Sequence, residues 1–375
     1  MTAANISELR RTAAAKELRR GWTTGACATA ATKAAFIGWR TGEFPDPVEI
    51  RLPRGARVGF ALACHQRLGD GARAAVIKDA GDDPDVTDGL LIVSTVRPGP
   101  VGSGIVFRAG PGVGTVTRAG LPIPPGEPAI NPVPRKMICA AVLEAASALD
   151  SVTDIEVEIS IPGGEAVARK TLNPRLGIIG GLSILGTTGI VVPYSCSAWI
   201  HSIYRGIDVA RAAGLAHVAA STGATSEAAV QRLHGLPEHA LIDMGDFAGG
   251  TLKYLRRHPV PRITVAGGIA KIAKLGQGLL DLHSRAGAVD FDWLSHRLAE
   301  AGGSAETVSA ARVANTALEI DEMAKAMGLP LAEVVADHAW RTAAGVLDGV
   351  AIELEIAIFD RQGRLTGRTP FRSVG

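Results

Sequence analysis

The first half of the chain alternates short apolar runs with turns of Gly, Pro and Asp. The spacing of these runs is typical of hairpin strands rather than of strand–helix–strand units. The predicted strands are residues 48–52, 56–63, 72–78, 90–96, 104–108, 114–117 and 155–161. An Ala-rich run over residues 26–40 predicts a helix with Thr24 as its N-cap, and a second helix is predicted to begin near Pro134. The pattern predicts an α+β domain with short antiparallel strands.

After residue 192 the pattern changes to apolar strands that alternate with helices. HVAAS, ALIDMGD and RITVAGG are three such strands, and a helical pattern follows each of them. This alternation predicts a parallel, doubly wound sheet of the Rossmann-like α/β class. Residues 291–345 have a mostly helical pattern. Residues 351–359 (AIELEIAIF) alternate so strictly that we expect an edge strand with one apolar face.

An uncharged, glycine-rich segment joins the two halves. Residues 176–200 carry no charge, and glycines, Pro193 and several Ser and Thr interrupt the apolar positions, which excludes a membrane span of about 20 apolar residues. Dense glycine lets backbone approach a ligand closely, so we expect this segment to line a substrate cleft. The expected domains are residues 1–180, the α+β domain with the cleft loops, and residues 181–375, the α/β domain with a helical C-terminal part.

Composition and charge exclude several function classes. The net charge is +2 and aromatic residues make up 4% of the chain, so neither a nucleic-acid partner nor a membrane partner is expected. The four cysteines form no CxxC pair, and no His spacing is typical of zinc, so we expect no protein-bound metal. Scattered thiols, and an Arg-rich, weakly helical leader over residues 1–19 without an apolar core, favour the cytoplasm. Homo-oligomerisation is left open.

The strongest polar cluster is the acidic loop, residues 78–88 (KDAGDDPDVTD). Its five carboxylates exceed what a turn needs, and their order does not fit a calcium loop. Two interpretations remain: Asp79, Asp82 and Asp83 are catalytic carboxylates, or the aspartates cap turns and accept hydrogen bonds from backbone amides. Crowding of like charges predicts a raised pKa for at least one member of the loop.

A second candidate site follows the predicted parallel strands. The ends of such strands present backbone N–H groups and a helix N-terminus to a ligand, and an acid at the next strand end commonly takes a ribose hydroxyl. The candidate residues at the three strand ends are Ser221, Thr222, Gly223, Asp243, Gly267 and Gly268. The pattern predicts a nucleoside-binding edge, and an ordinary turn between strand and helix is the alternative.

Several stretches together resemble one known family. They are GWTTGACATAA, KDAGDDPDVTDG, GPGVGTVTRAGL, AINPVPRKMI, KTLNPRLGIIGGLSILGTTGIV and HSR. With these stretches the chain is similar to the cobalt-precorrin-5B C1-methyltransferase (CbiD) family of cobalamin (vitamin B12) biosynthesis. The resemblance implies an enzyme that transfers a methyl group from S-adenosylmethionine to C1 of cobalt-precorrin-5B and gives cobalt-precorrin-6A. The cobalt then belongs to the tetrapyrrole substrate.

The resemblance also implies roles for particular residues. S-adenosylmethionine would occupy the three strand ends, and the acidic loop would face the charge that develops during methyl transfer. Acetate and propionate groups on the macrocycle call for cations. The implied substrate-binding residues, in or beside the family stretches, are Thr23, Thr24, Asn131, Arg135, Lys170, Arg175 and His283. The competing hypothesis is a non-catalytic tetrapyrrole carrier or a nucleotide-sensing module.

Overall fold

The computed structural model describes residues 18–375, which divide into two compact units. Unit 1 comprises the chain up to Thr117 together with Pro122–Ser195, and unit 2 comprises Arg118–Leu121 together with Cys196–Gly375. The expected helical leader over residues 1–19 lies outside the described residues except for its last two positions. Residues 181–195, which we expected to open the second domain, belong to unit 1.

Unit 1 is built from short strands, most of which pair antiparallel. They are β1 Gly21–Trp22, β2 Val48–Arg51, β3 Arg57–Phe60, β4 Cys64–Arg67, β5 Ala72–Ile77, β6 Leu91–Pro98, β7 Ile105–Ala109, β8 Gly112–Val113, β9 Thr115–Val116, β10 Ile155–Ser160, β11 Ile178–Ile179, β12 Gly181–Leu182 and β13 Ile190–Val191. The main sheet has the order β4-β5-β6-β10-β7, in which only β10 and β7 are parallel. Strand β4 has no counterpart among the predicted strands.

The helices of unit 1 are α1 Thr24–Thr41, α2 Pro132–Ala148 and α3 Gly164–Ala168. The N-cap of α1 is Thr23, whose Oγ1 accepts a hydrogen bond from the Ala26 amide at 3.2 Å. The prediction of Thr24 as the cap is therefore wrong. The Thr24 hydroxyl is instead bound to the backbone of Leu185, so Thr23 is the last residue before the helix.

The core of unit 1 lies between α1, α2 and the main sheet. Helices α1 and α2 pack on each other, and α1 packs on β5 and β6. The helix can approach the sheet closely because its buried face consists largely of alanine. On β10, Ile155, Val157 and Ile159 are buried while Glu156 and Glu158 between them are half-buried, the alternation of a strand with one core face.

Unit 2 contains a six-stranded sheet that is largely parallel. Its strands are β14 His217–Ser221, β15 Leu241–Asp243, β16 Arg262–Gly267, β17 Ile352–Phe359, β18 Leu365–Arg368 and β19 Arg372–Val374. The order is β15-β14-β16-β17-β18, with β19 also paired to β17. Strands β14 to β17 run parallel, whereas β18 and β19 run antiparallel to β17.

Strand β17 lies inside the sheet, so the expectation that residues 351–359 form an edge strand is wrong. It pairs with β16 on one side and with β18 and β19 on the other. The alternation of apolar and charged residues predicted a solvent-facing side for this strand, but Glu355 is buried. Its Oε2 accepts hydrogen bonds from His234 Nε2 at 2.6 Å and from Thr264 Oγ1 at 2.8 Å, which stabilise a carboxylate within an otherwise apolar strand.

Helices cover both faces of this sheet. They are α4 Cys196–Ala212, α5 Ala224–His234, α6 Ala248–Arg257, α7 Ile269–Gly276, α8 Phe291–Glu300, α9 Ala305–Arg312, α10 Ala317–Ala326 and α11 Leu331–Leu347. Helix α5 packs on one face through Ala229 and Val230, and helices including α4, α6, α7 and α11 form the larger core on the other face.

Residues 18–375 lack two features that would bear on function. No helix in this range is both long enough and apolar enough to span a membrane. Within the same range, no group of three or more His, Cys, Asp or Glu side chains is arranged to hold a metal ion. Cys27 is buried in α1, and burial raises the pKa of its thiol to about 12.

Candidate functional site

The carboxyl ends of three parallel strands meet at one edge of the unit 2 sheet. Ser221, the last residue of β14, is in register with Asp243, the last residue of β15, and with Ala266 of β16. Strands β15 and β16 lie on opposite sides of β14. The connection that follows β14 therefore leads to one side of the sheet, and the connection that follows β15 leads back to the other. Open α/β sheets bind ligands at such points. The structure therefore brings the predicted strand ends together.

The Ser221 side chain gives this edge an unpaired polar group. Ser221 is fully buried, and its Oγ has no hydrogen-bond partner among the described residues. Strand alternation places the side chain on the same face as Ala219, which packs against α5. A buried hydroxyl without a partner destabilises a fold by about 1–3 kcal/mol. A bound polar group at this edge would remove that cost.

Glycines keep the space above the strand ends open. Gly223 is the N-cap of α5 and Gly268 is the N-cap of α7, and neither cap has a side chain that could accept from the first-turn amides. A Cβ at Gly223 would meet no atom within 4 Å, and one at Gly268 would meet only the Phe359 carbonyl oxygen at 3.9 Å. Two helix N-termini beside open space are suited to oxygen atoms of a ligand.

The neighbouring Gly267 has a different role. A Cβ at this position would lie 2.8 Å from Thr222 Oγ1 and 3.0 Å from the Ile272 side chain. The Thr222 amide also donates to the Ala266 carbonyl at 3.0 Å. Gly267 therefore allows the turns after β14 and β16 to pack closely, which brings Thr222 to the end of β16.

Asp243 occupies the end of the strand beside Ser221. Its carbonyl oxygen accepts a hydrogen bond from Trp199 Nε1 at 3.1 Å, and the next residue, Met244, donates its amide to the Ser221 carbonyl at 3.0 Å. These contacts fix the strand end. Asp243 is half-buried, at the position from which a strand-end acid accepts ribose hydroxyls in nucleoside-binding sheets.

A charged pair beside these strand ends was missed by sequence reasoning. The side chains of Asp246, after β15, and Lys271, in the first turn of α7, form an ion pair. Lys271 Nζ also donates to the Leu282 carbonyl at 3.1 Å, as does the buried Lys274 Nζ at 3.1 Å. Asp246 and Lys271 lie 25 positions apart and belong to no motif, so only the fold shows that they meet.

His283 is the residue after Leu282, whose carbonyl accepts from both lysines. Its amide donates to Asp281 Oδ1 at 3.0 Å, and its Nδ1 accepts from the Arg285 amide at 3.1 Å. The residue is exposed. The structure therefore places His283 in unit 2, next to the carbonyl that the two lysines bind. Its predicted role in substrate binding stays a prediction.

In unit 1, the two threonines predicted to bind substrate use their hydroxyls within the fold. Thr23 caps α1. Its side chain packs so closely on Gly186 that a Cβ at that glycine would lie 2.4 Å from the Thr23 Cβ. Thr24 Oγ1 accepts from the Leu185 amide at 3.0 Å and donates to the Leu185 carbonyl at 3.2 Å. Both residues are buried, and they join the start of α1 to the glycine-rich segment.

Arg135 also binds the protein's own backbone. Its Nε donates to the Ile130 carbonyl at 2.8 Å, and its Nη2 donates to the Pro128 carbonyl and to Glu127 Oε2 at 3.1 Å. Asn131 precedes α2 as its N-cap but makes no side-chain capping bond. The Arg135 side chain is therefore held by hydrogen bonds within the fold, whereas no capping bond holds the Asn131 side chain.

The turn that carries Lys170 and Arg175 is held against the glycine-rich segment. Asn173 is buried, its Nδ2 donates to the Gly181 carbonyl at 3.1 Å, and its Oδ1 accepts from Ser183 Oγ at 3.2 Å. Lys170 is exposed on this turn and Arg175 is half-buried. The locked Asn173 thus fixes the backbone from which both cations extend.

Large apolar side chains are exposed along the same segment of unit 1. The exposed fractions are 55% for Ile179, 49% for Leu185, 50% for Val192 and 67% for Tyr194. Large apolar side chains that stay exposed in the fold are candidates for contact with a ligand. Together with the neighbouring cations, these side chains suit a large apolar ligand that carries carboxylates.

Every carboxylate of the acidic loop accepts a hydrogen bond from a backbone amide. The pairs are Asp79 with Gly81 at 2.9 Å, Asp82 with Arg19 at 2.7 Å, Asp83 with Tyr194 at 2.8 Å, Asp85 with Thr87 at 2.8 Å and Asp88 with Ala80 at 2.7 Å. Lys78, whose side chain is 1% exposed, also pairs with Asp85 at 2.8 Å. These contacts favour a structural role: Asp79 and Asp85 accept from amides two residues ahead, as turn caps do, whereas Asp82 and Asp83 accept from amides 63 and 111 positions away.

Two members of the loop have a lowered pKa, whereas the sequence predicted a raised pKa for at least one member. The hydrogen bond from the Arg19 guanidinium holds the pKa of Asp79 below its usual value. Burial alone would raise the pKa of Asp85, but the hydrogen bonds from Lys78 and Thr87 outweigh burial, and its pKa is lowered. Each of these two carboxylates has a cationic partner: Lys78 at the start of the loop for Asp85, and Arg19, which lies outside the loop, for Asp79. Catalysis by Asp79, Asp82 and Asp83 stays a prediction.

Two substitutions at Asp83 separate capping from catalysis. Asp83→Asn keeps an oxygen that can accept from the Tyr194 amide, so we expect an unchanged Tm and an unchanged kcat. Asp83→Ala removes the acceptor and is expected to destabilise the fold by about 1 kcal/mol with kcat per folded molecule intact. Thermal unfolding and single-turnover methyl transfer measure the two quantities. A large fall in kcat for the Asn variant at unchanged Tm would instead assign Asp83 a catalytic role.

Known proteins match the chain over most of its length. Residues 11–193 match the CbiD family, and residues 281–370 match the part described as CbiD, C-terminal domain. The chain belongs to the CbiD family. The expectation from the sequence stretches is thereby confirmed.

Three relatives of this CbiD chain have the name cobalt-precorrin-5B C(1)-methyltransferase. The protein of Bradyrhizobium sp. is 65% identical over 94% of both chains. That of Agrobacterium fabrum is 61% identical over 94% of this chain and 93% of its own, and that of Methylorubrum extorquens is 60% identical over 93% and 96%. A crystal structure of the cobalamin biosynthesis protein CbiD from Archaeoglobus fulgidus is 26% identical, covers 83% of this chain and 85% of its own, and has a TM-score of 0.39.

The two CbiD matches account for part of the candidate site. The first includes the acidic loop, the turn with Lys170 and Arg175, and the glycine-rich segment up to residue 193, and the second includes His283. The strand ends from Ser221 to Gly268 lie between the matched ranges. In this CbiD chain they are recognised from strand register and burial rather than from a family stretch.

Proposed function

We propose that this chain transfers a methyl group to ring carbon C1 of cobalt-precorrin-5B, a step of cobalamin biosynthesis, and gives cobalt-precorrin-6A. The observation that carries the proposal is the identity of 60–65% with cobalt-precorrin-5B C(1)-methyltransferases over at least 93% of this chain. The similarity extends over nearly the whole of both chains, so it includes every part of the candidate site. None of these relatives is named as a carrier or as a sensing module.

The methyl donor in this proposal is S-adenosylmethionine, held at the carboxyl edge of the unit 2 sheet. When bound, it supplies a methyl group on a positively charged sulfur that is open to in-line attack by a carbon nucleophile. The residues at this edge fit such a donor: Ser221 has an unpaired buried hydroxyl, Gly223 and Gly268 leave open space, and Asp243 ends the adjacent strand. Unit 2 then serves as a Rossmann-like donor-binding domain.

The substrate in this proposal contacts unit 1 through the glycine-rich segment and the adjoining turn. A tetrapyrrole is a broad apolar ring with a carboxylate rim, so it needs exposed apolar side chains near cations. Ile179 and Leu185 supply the former, and Lys170 and Arg175 supply the latter. The hydrogen bonds of Asn173 hold the backbone of the turn that carries the two cations, so that orientation rather than covalent chemistry is the contribution of this unit.

Arg175→Lys tests the substrate assignment. Lysine keeps the charge but loses the planar two-point contact with a carboxylate, so we expect KM for the tetrapyrrole to rise about tenfold. The affinity for S-adenosylhomocysteine should stay unchanged, and calorimetry measures it. A loss of S-adenosylhomocysteine affinity instead would mean that the guanidinium contacts the donor.

Methyl transfer itself is tested with the purified chain, cobalt-precorrin-5B and methyl-labelled S-adenosylmethionine. We expect one labelled methyl group per macrocycle, placed at C1 by NMR, and no product when the donor is omitted. Binding of the macrocycle without any transfer of label would favour a carrier instead. Transfer to another carbon would contradict the assigned position.

A further inference from the structure

We infer that Asp246 and Lys271 bind the charged amino-acid end of the methyl donor and thereby determine which adenosine compounds the site accepts. The inference rests on the proposed function, because it requires the donor to lie at the carboxyl edge of the unit 2 sheet. Neither residue was a candidate from the sequence.

The position of the pair relative to the strand ends supports this role. Asp246 lies three residues after Asp243, the end of β15, and Lys271 lies in the first turn of α7, three residues after the Gly268 cap. Their side chains are 22% and 35% exposed, so solvent and ligand can reach both. The unpaired Ser221 hydroxyl, on the strand between β15 and β16, faces α5 rather than α7, so it bears on the nucleoside half of the ligand.

The charges around the pair favour an incoming carboxylate. An ammonium group in the first turn of a helix is disfavoured by the helix dipole unless an anion offsets it. Here Lys271 and Lys274 both donate to one neutral carbonyl, that of Leu282, and Asp246 is the carboxylate that the Lys271 ammonium contacts. The α-carboxylate of an amino acid therefore suits Lys271, and its α-ammonium suits Asp246.

The distances along the edge suit a nucleoside joined to a short amino-acid chain. Neighbouring strands lie about 4.8 Å apart, so the ends of β15, β14 and β16 span about 10 Å. With the ribose at Asp243 and the base near Gly223, a short amino-acid chain can reach the pair, because Asp246 follows β15, Lys271 follows β16, and these two strands flank β14.

A structural ion pair that only holds the turn of residues 281–285 is the alternative. Such a pair would affect the stability of unit 2 but would not distinguish ligands that share a nucleoside. S-adenosylhomocysteine carries the amino-acid end, and 5′-methylthioadenosine has the same thioadenosine without it. The ratio of the two affinities therefore reports the role of the pair independently of stability.

The experiment is calorimetric titration of the full chain with both compounds, for the wild type and for K271M, D246N and K253M. Lys253 is exposed on α6 in the same unit, so K253M is the matched control for loss of a lysine charge. We expect the wild type to prefer S-adenosylhomocysteine by at least about tenfold, and K271M to lose about ten- to a hundredfold in affinity for it. The affinity of K271M for 5′-methylthioadenosine should stay within about twofold of the wild type, and K253M should match the wild type for both.

The outcomes separate this inference from the proposed function. If both compounds bind and K271M and D246N keep the wild-type ratio, the inference is overturned while the donor-binding edge stands. If D246N lowers the affinity for S-adenosylhomocysteine alone, as K271M does, the inference is supported at both ends of the pair. If the folded wild type binds neither compound, the inference and the proposed donor site both fail.

Discussion

Gly223→Val is expected to weaken the binding of S-adenosylhomocysteine by about a hundredfold or more, about 2.7 kcal/mol, with only the small fall in Tm that valine causes at an N-cap. The backbone at Gly223 is extended, with φ 169° and ψ 169°, which valine adopts readily. A Cβ there meets no protein atom within 4 Å, so the fold has no steric reason to be destabilised. The branched side chain instead fills the open space beside the N-terminus of α5, where the backbone must approach the ligand. Titration calorimetry and thermal unfolding of the same sample measure both quantities.

The matched control is Gly345→Val on α11. A Cβ at Gly345 also meets no atom within 4 Å, and the residue is exposed in the same unit. We expect this variant to bind S-adenosylhomocysteine as the wild type does. If folded Gly223→Val also binds normally, the donor does not lie over β14 and the assignment of the strand ends is wrong.

Asp85→Ala is expected to lower the free energy of unfolding by about 3 kcal/mol. The substitution removes the carboxylate that pairs with Lys78 Nζ at 2.8 Å and leaves the ammonium of a side chain that is 1% exposed without its ion-pair partner. It also removes the acceptor of the Thr87 amide and hydroxyl. Chemical denaturation of the variant and the wild type measures the difference.

The same pair predicts a pH dependence. The pKa of Asp85 is lowered in the folded protein, since the hydrogen bonds from Lys78 and Thr87 outweigh the opposing effect of burial. A carboxyl whose folded pKa lies below its unfolded value of about 3.9 stabilises the fold above that value, and the contribution is lost as pH falls through the folded pKa. The difference in unfolding free energy between wild type and Asp85→Ala should therefore be constant near neutral pH and shrink below about pH 4.

Asp70→Ala is the control for the loss of an exposed ion pair. Asp70 and Arg97 are 3.5 Å apart with side chains 65% and 39% exposed, so removal should change the unfolding free energy by about 0.5 kcal/mol or less. An equally small effect for Asp85→Ala would show that water reaches Lys78 and that the acidic loop does not depend on this pair.

Local patterns predicted the parts of the structure that depend on neighbouring residues. The strand-to-helix turns at Ser221 and Gly268 lie where apolar runs end, because a strand must stop where its backbone turns into a helix. The cap of α1 was placed one residue too late because either threonine suits the position locally. A bond from Thr24 to the distant Leu185 decides between them.

Long-range partners account for what the sequence could not show. The strict alternation of β17 resembles a half-exposed strand, but His234 and Thr264 bind Glu355 and allow it to be buried. The sequence of the acidic loop predicted repulsion among its carboxylates. Arg19, whose guanidinium pairs with Asp79, lies 60 positions away along the chain, so no local pattern shows this partner. The ion pair of Asp246 and Lys271 likewise depends on the placement of two strand ends side by side, which no local pattern contains.

The most direct test of the central claim is a crystal structure of the full chain with S-adenosylhomocysteine bound. The account predicts the ligand at the carboxyl edge of the unit 2 sheet, with the nucleoside over Ser221–Gly223, the ribose at the Asp243 carboxylate and the backbone at Gly268 in contact with the ligand. A ligand bound to unit 1, over the glycine-rich segment or the acidic loop, with the unit 2 strand ends empty, would contradict it.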